Sequence, residues 1–255
     1  MKVKLNLSII YLPAFCLLSL NVCGQKLPKI QQGSVRAPND IKIDGTATEW
    51  NDQFKAYNPA TDIYYTLSND DDMLYLAVKA DRHEIADKIL RGGITLTINH
   101  SVQKKDPEAV SITYPVLRDD DMSAVANMFA RKSFDQGDGV VTTTKNLNQV
   151  MEAKSKVINI EGIKTITGHS ISVYPPPGIP AVGLFDTQNN YTYELAIALK
   201  YLDLPDNGAS AFSYHIKVND LPEQHMNPGS RPSPPVIITQ LGTTDFWGEY
   251  TLAKR

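Results

Sequence analysis

The chain is predicted to be all-β, an antiparallel β-sandwich of jelly-roll or Greek-key type with one short helical insertion. Three observations predict it. Apolar and polar residues alternate with a period of two through most segments from Ile41 onward, the pattern of strands that bury one face and wet the other. Turn-forming clusters such as Asn69-Asp70-Asp71-Asp72 and Leu204-Pro205-Asp206-Asn207-Gly208 separate those segments. Helical spacing is largely confined to residues 118–155.

The elements follow in order. Lys2 and Lys4 precede an uncharged run from Leu5 to Val22 that ends in Val22-Cys23-Gly24-Gln25, which reads as a secretory signal cleaved after Gly24. A transmembrane anchor and lipidation at Cys23 are the competing readings. Asn6, Ser8, Pro13, Ser19 and Asn21 interrupt the apolar run and disfavour the anchor, while Leu20 suits a lipidation site. The chain is therefore expected to be secreted or periplasmic, with an outer-membrane lipoprotein as the variant, and to carry no transmembrane helix once processed. Both cysteines, Cys16 and Cys23, lie in this segment, so the mature chain has no disulfide framework. Residues 25–37 are polar and read as a tether to a single domain over residues 38–255.

Within that domain Ile41-Lys42-Ile43 reads as a short strand running into Asp44-Gly45. Ile63, Tyr65 and Leu67 face one side of the next strand, and Leu74, Leu76, Val78 and Ala80 face the same core from its hairpin partner. Asp81 is placed to cap a helix, with Glu84 completing a capping box and Gly92 as the stop. Residues 93–99 are a strand with Ile94, Leu96 and Ile98 inward. Met122, Val125, Met128 and Phe129 then fall at helical spacing between Asp119-Asp120-Asp121 and Arg131-Lys132, the charge order that a helix dipole prefers. A weaker helical pattern at Leu147, Val150 and Met151 completes the insertion. Strands are expected again at Val157 to Ile160, Ile163 to Ile166, Tyr191 to Leu199, Phe212 to Val218 and in the closing Phe246-Trp247-Gly248 stretch.

Ile43-Asp44-Gly45 followed by Glu49-Trp50, the Leu74-Tyr75 centre of Asp72 to Asp81, the strand Tyr193-Glu194-Leu195-Ala196-Ile197 and Phe246-Trp247-Gly248 come in an order that resembles the family 9 carbohydrate-binding-module-like group, related in fold to DOMON domains. The resemblance spans Pro38 to Arg255. It implies a secreted, non-catalytic sandwich that binds a polysaccharide or oligosaccharide, serves polysaccharide capture or degradation, and sometimes carries structural calcium. The helical insertion departs from the simplest members. Sugar sites of the family hold a terminal sugar between two tryptophans; Trp50 and Trp247 both belong to fold motifs, so that site does not carry over. An envelope structural or protein-interaction module on the same fold is the alternative function.

Candidate ligand-binding residues are therefore aromatic: Tyr64, Tyr75, Tyr114 and Tyr174, chosen from the twelve tyrosines, with Trp50 and Trp247. Each has a plain packing role as its rival, because tyrosine suits sheets. Hard oxygen ligands gather at Asp70 and Asp72 and at Asp135 and Asp138, which would suit calcium, although Asn-Asp runs also make ordinary turns. The five histidines have no zinc spacing. Some DOMON relatives hold haem through His and Met; Met122 and Met128 here sit at helical core spacing. Removing residues 1–24 takes away two lysines and no acid, moving the formal charge from −3 to −5, which argues against nucleic acid as a partner. No nucleophile-elbow, phosphate-loop or dinucleotide motif is present, and Glu49, Glu194 and Glu249 form no recognisable acid/base pair, so no enzymatic activity is expected.

Overall fold

Strand pairing accounts for the alternation read from the sequence. The computed structural model describes residues 26–51, 53–132, 137–175, 178–204, 211–219 and 243–254. In chain order they form β1 (Ala56–Asn58), β2 (Ile63–Asn69), β3 (Met73–Ala80), α1 (His83–Gly92), β4 (Ile94–Ile98), β5 (Val110–Tyr114), α2 (Asp119–Lys132), α3 (Asp138–Lys154), β6 (Val157–Glu161), β7 (Ser170–Ser172), β8 (Ala181–Phe185), β9 (Tyr191–Ala198), β10 (Ala211–Val218) and β11 (Thr244–Thr251). Two antiparallel sheets result, one in the order β1-β2-β3-β9-β8 and one in the order β11-β10-β4-β5-β6-β7. The all-β sandwich with helices confined to one interior segment and one crossover is thus the observed architecture.

The core lies between the sheets and is filled by the apolar half of each alternation. Ile63, Tyr65 and Leu67 of β2, Leu74, Leu76 and Val78 of β3, and Tyr191, Tyr193, Leu195 and Ile197 of β9 face Ile94, Leu96 and Ile98 of β4 and Phe212, Tyr214 and Ile216 of β10. Burying such side chains supplies most of the driving force. Tyr65 and Tyr214 meet across the layers through their hydroxyls at 2.9 Å, which satisfies two buried polar groups with each other.

The open flanks of the sandwich are closed by two different devices. On one flank, residues 28–37 are not a free tether. Gln31 donates from Nε2 to the Leu67 carbonyl and accepts the Leu67 N–H on Oε1, both at 2.8 Å, so its amide completes the part of β2 that β1 leaves unpaired. Residues 35–37 add backbone bonds to Asn69, and Ser34 donates to Thr251 O of β11. On the other flank, Asn148 of α3 makes the same double bond to the backbone of Phe185 in β8, at 2.8 and 2.9 Å. Unpaired strand edges invite association, and both amides cap one.

Three expectations for local structure are corrected. Ile41–Ile43 is not a strand; the described residues of 38–55 instead wrap the outer face of the five-stranded sheet, where Trp50 and Phe54 pack on Tyr75, Ala77 and Ala196. Helix α1 starts after Arg82 with no side-chain cap, so Asp81 and Glu84 form no capping box. Ile163 to Ile166 lie in the turn between β6 and β7, with Ile163 serving as a buried plug. The insertion is where it was expected: α2 and α3 pack on each other, and Phe129 of α2 lies 4.6 Å from the ring of Phe185. The signal segment and Cys23 lie outside the described residues, and among those residues no helix is long and apolar enough to cross a membrane.

Candidate functional site

The expected aromatic residues divide sharply once placed. Tyr114 is in the core, stacked on Tyr193 with ring centres 5.3 Å apart. Tyr75 is buried under residues 38–55 and donates its hydroxyl to Asp70 Oδ2 at 2.6 Å. Trp50 is buried in the same layer. These three have no face to offer a ligand: Tyr114 follows Val110 and Ile112 on the inward face of β5, Tyr75 lies on the covered outer face of β3, and Trp50 belongs to the segment that covers it. Tyr64 is half-buried between Phe54 and Tyr57. Tyr174 is exposed in the loop before β8. Trp247 alone stands in a built setting.

The acidic candidates also separate. Asp70 accepts the N–H groups of Asp72 and Met73 on Oδ1 as well as the Tyr75 hydroxyl on Oδ2, so both of its oxygens are used inside the hairpin. Burial pushes its pKa up, but those hydrogen bonds outweigh it and hold the carboxyl below the usual range. Asp72 is exposed in the same turn. Asp135 lies outside the described residues, and Asp138 opens α3. Among the described residues no group of three or more His, Cys, Asp or Glu side chains converges to hold a metal ion. Asp70 is thus engaged in turn chemistry.

Trp247 points outward from β11, an edge strand of the six-stranded sheet, and stacks on His215 of β10 with ring centres 4.4 Å apart and planes 11° from parallel. His215 Nε2 lies 3.4 Å from Asp245 Oδ1, and Nε2 makes no hydrogen bond. The indole lines a hollow of about 380 Å³ with Gln32, Gly33, Lys104, Ser213 and Glu249. Since His215 covers one indole face, the hollow meets what that stack leaves uncovered. Gly248, next to Trp247, turns inward, where a Cβ would come within 2.3 Å of the Tyr214 ring. The strand therefore lies tight on the core and holds the tryptophan fixed.

From Trp247 a row of outward side chains continues across the sheet through the residue register. It runs Trp247, His215, Thr97, Ser111, Glu161, one residue per strand. A second row lies beside it: Asp245, Lys217, Thr95, Thr113, Asn159, Ser170. Neighbours within the rows are hydrogen-bonded, Thr95 to Thr113 at 2.7 Å, Thr97 to Ser111 at 2.8 Å and Ser170 to Asn159 at 2.6 Å. The face is thus an ordered array of hydroxyl, amide and ionic groups ending in an aromatic wall. In the sequence each of these residues is only the polar half of an alternation, and only the register brings them together.

Glu194, the one buried carboxylate of the five-stranded sheet, has a different job. It lies with no solvent exposure on the outer face of β9, and its Oε2 accepts the N–H groups of Asp44 and Gly45 at 3.0 and 2.7 Å. Gly45 has φ +83°, a left-handed conformation suited to glycine, in the turn that offers both donors. Burial pushes the Glu194 pKa up to about 7, the two hydrogen bonds lower it, and the charges of Asp44 and Glu49 add to the rise. It latches residues 38–55 to the sheet. No protein-family model and no curated protein sequence matches the chain.

Proposed function

We propose that the protein is an exported, non-catalytic carbohydrate-binding protein whose site is the hollow at Trp247. One observation carries the reading: a tryptophan held rigid by its stack on His215 lines a hollow whose other walls include the hydrogen-bonding side chains Gln32, Glu249 and Lys104. Sugars present apolar C–H faces and a rim of hydroxyls, and an aromatic ring beside polar groups matches both. Interactions of this kind require little rearrangement of the site, because stacking and the tight Gly248 backbone already order the indole. The resemblance to the family 9 carbohydrate-binding-module-like group supports the same chemistry, although the tryptophan pair of that family has no counterpart here.

Affinity electrophoresis through gels containing xylan, cellulose derivatives or pectins tests it. The wild-type protein is expected to be retarded by at least one polysaccharide, and Trp247→Ala to migrate as in a plain gel. Wild-type migration unaffected by every polysaccharide would sink the reading and leave an envelope structural or interaction role.

A further inference from the structure

A second hollow, of about 400 Å³, lies on the same sheet at the far end of the row that begins at Trp247. Glu161, the last residue of that row, lines it together with Glu108, Lys164, His169, Ile163 and Ile166. One connection contributes to both hollows. Residues 99–109, which join β4 to β5, give Lys104 to the hollow at Trp247 and Pro107 and Glu108 to the other. That connection is braced by Asp106, which accepts the N–H groups of His100 and Glu108 at 2.8 and 2.9 Å, and by the Asn99 and Ser213 side chains, both bonded to the Gln103 carbonyl. Each hollow mixes carboxylate with ammonium, so neither presents a field of one sign.

We propose that the two hollows are subsites of one groove that binds an internal stretch of a linear, neutral glycan rather than a chain end. The proposal rests on the carbohydrate reading of the Trp247 hollow. From β11 to β6 there are four strand intervals, so the ends of the row stand ~19 Å apart at the usual spacing between strands. One sugar residue fills one hollow; only several linked residues reach from one to the other, passing over the hydroxyls of Thr97 and Ser111. Neither end presents net positive charge, with Glu249 beside Lys104 at one and Glu108 and Glu161 beside Lys164 at the other, which favours a hydroxyl-rich neutral polymer over an anionic one. Occupying both subsites with one chain makes the second contact intramolecular, and affinity then grows with chain length.

Titration calorimetry with cello- and xylo-oligosaccharides, graded from disaccharide to hexasaccharide, tests this on the wild-type protein and on a Glu161→Ala/His169→Ala double variant. Both substituted residues are exposed, and thermal melting checks that the variant is folded. Affinity of the wild type is expected to rise about tenfold or more along the series, and the rise to disappear in the double variant. Affinity independent of length, or a double variant indistinguishable from wild type on hexasaccharide, overturns the extended groove and leaves the Trp247 site standing. No binding to any of these oligosaccharides also overturns it, and the carbohydrate reading falls with it only if the polysaccharide gels show no retardation either.

Discussion

Glu194 and Gly248 show how single side chains set the shape of the two faces. Glu194 is an acid whose pKa rises on folding, to about 7, chiefly because burial penalises the charged form. The folded state therefore binds the proton more tightly than the unfolded one, and stability is lost as pH rises from the ordinary glutamate range towards 7. Glu194→Gln keeps an oxygen to accept the Asp44 and Gly45 N–H groups and removes the charge. The variant should gain on wild type as pH rises through that window, by up to about 3 kcal/mol, and the gap should level off above it. Urea denaturation of both proteins from pH 4 to 8 measures it; a gap constant with pH would refute the raised pKa of Glu194. Gly248 matters through space: Gly248→Ala forces a methyl against the Tyr214 ring and is expected to cost about 1–3 kcal/mol in the same assay.

Helices and edge segments carry the next set of consequences. Phe129 is fully buried between His83, with which it stacks at 4.4 Å, and Phe185, so it ties α2 to α1 and to β8. Phe129→Ala should destabilise the fold by about 3–5 kcal/mol. Gln31→Ala leaves the N–H and C=O of Leu67 without their partners, a cost of about 1–3 kcal/mol per group that thermal unfolding would register as a lowered midpoint. Lys154→Ala, by contrast, removes one of two partners of the mostly buried Asp121, which keeps Arg118, and should change stability by about 1 kcal/mol or less. The insertion was legible because helical period and end charges agree in α2, and β2, β3, β9 and β10 because alternation is clean. Residues 31–37 were not legible as an edge, since their bonds run to Leu67, Asn69 and Thr251, far away in sequence. Ile41–Ile43 misled for the same reason: alternation fits a segment packed on a sheet as well as one paired within it.

Across the whole molecule, topology turns an ordinary polar alternation into a candidate site. Strands far apart in sequence, β4 to β6 and β10 to β11, line up Trp247, His215, Thr97, Ser111 and Glu161 in one row. Trp247 was visible in the sequence as an aromatic with two roles, packing or platform; its stack on His215 and the hollow beside it needed the register. Tyr75 went the other way, because a strand's second face is wet only where nothing else covers it; Trp50 belongs to the segment that covers it, and Tyr114 lies on the core face of β5. The five-stranded sheet is covered by residues 38–55, while the rows of the six-stranded sheet keep exposed members such as Asp245, Asn159, Glu161 and Ser170. Affinity electrophoresis of wild type beside Trp247→Ala puts that difference to the test most directly. Retardation of the wild type by a polysaccharide, abolished in the variant at unchanged melting temperature, is the result expected. Equal migration of the two proteins in every gel would contradict it.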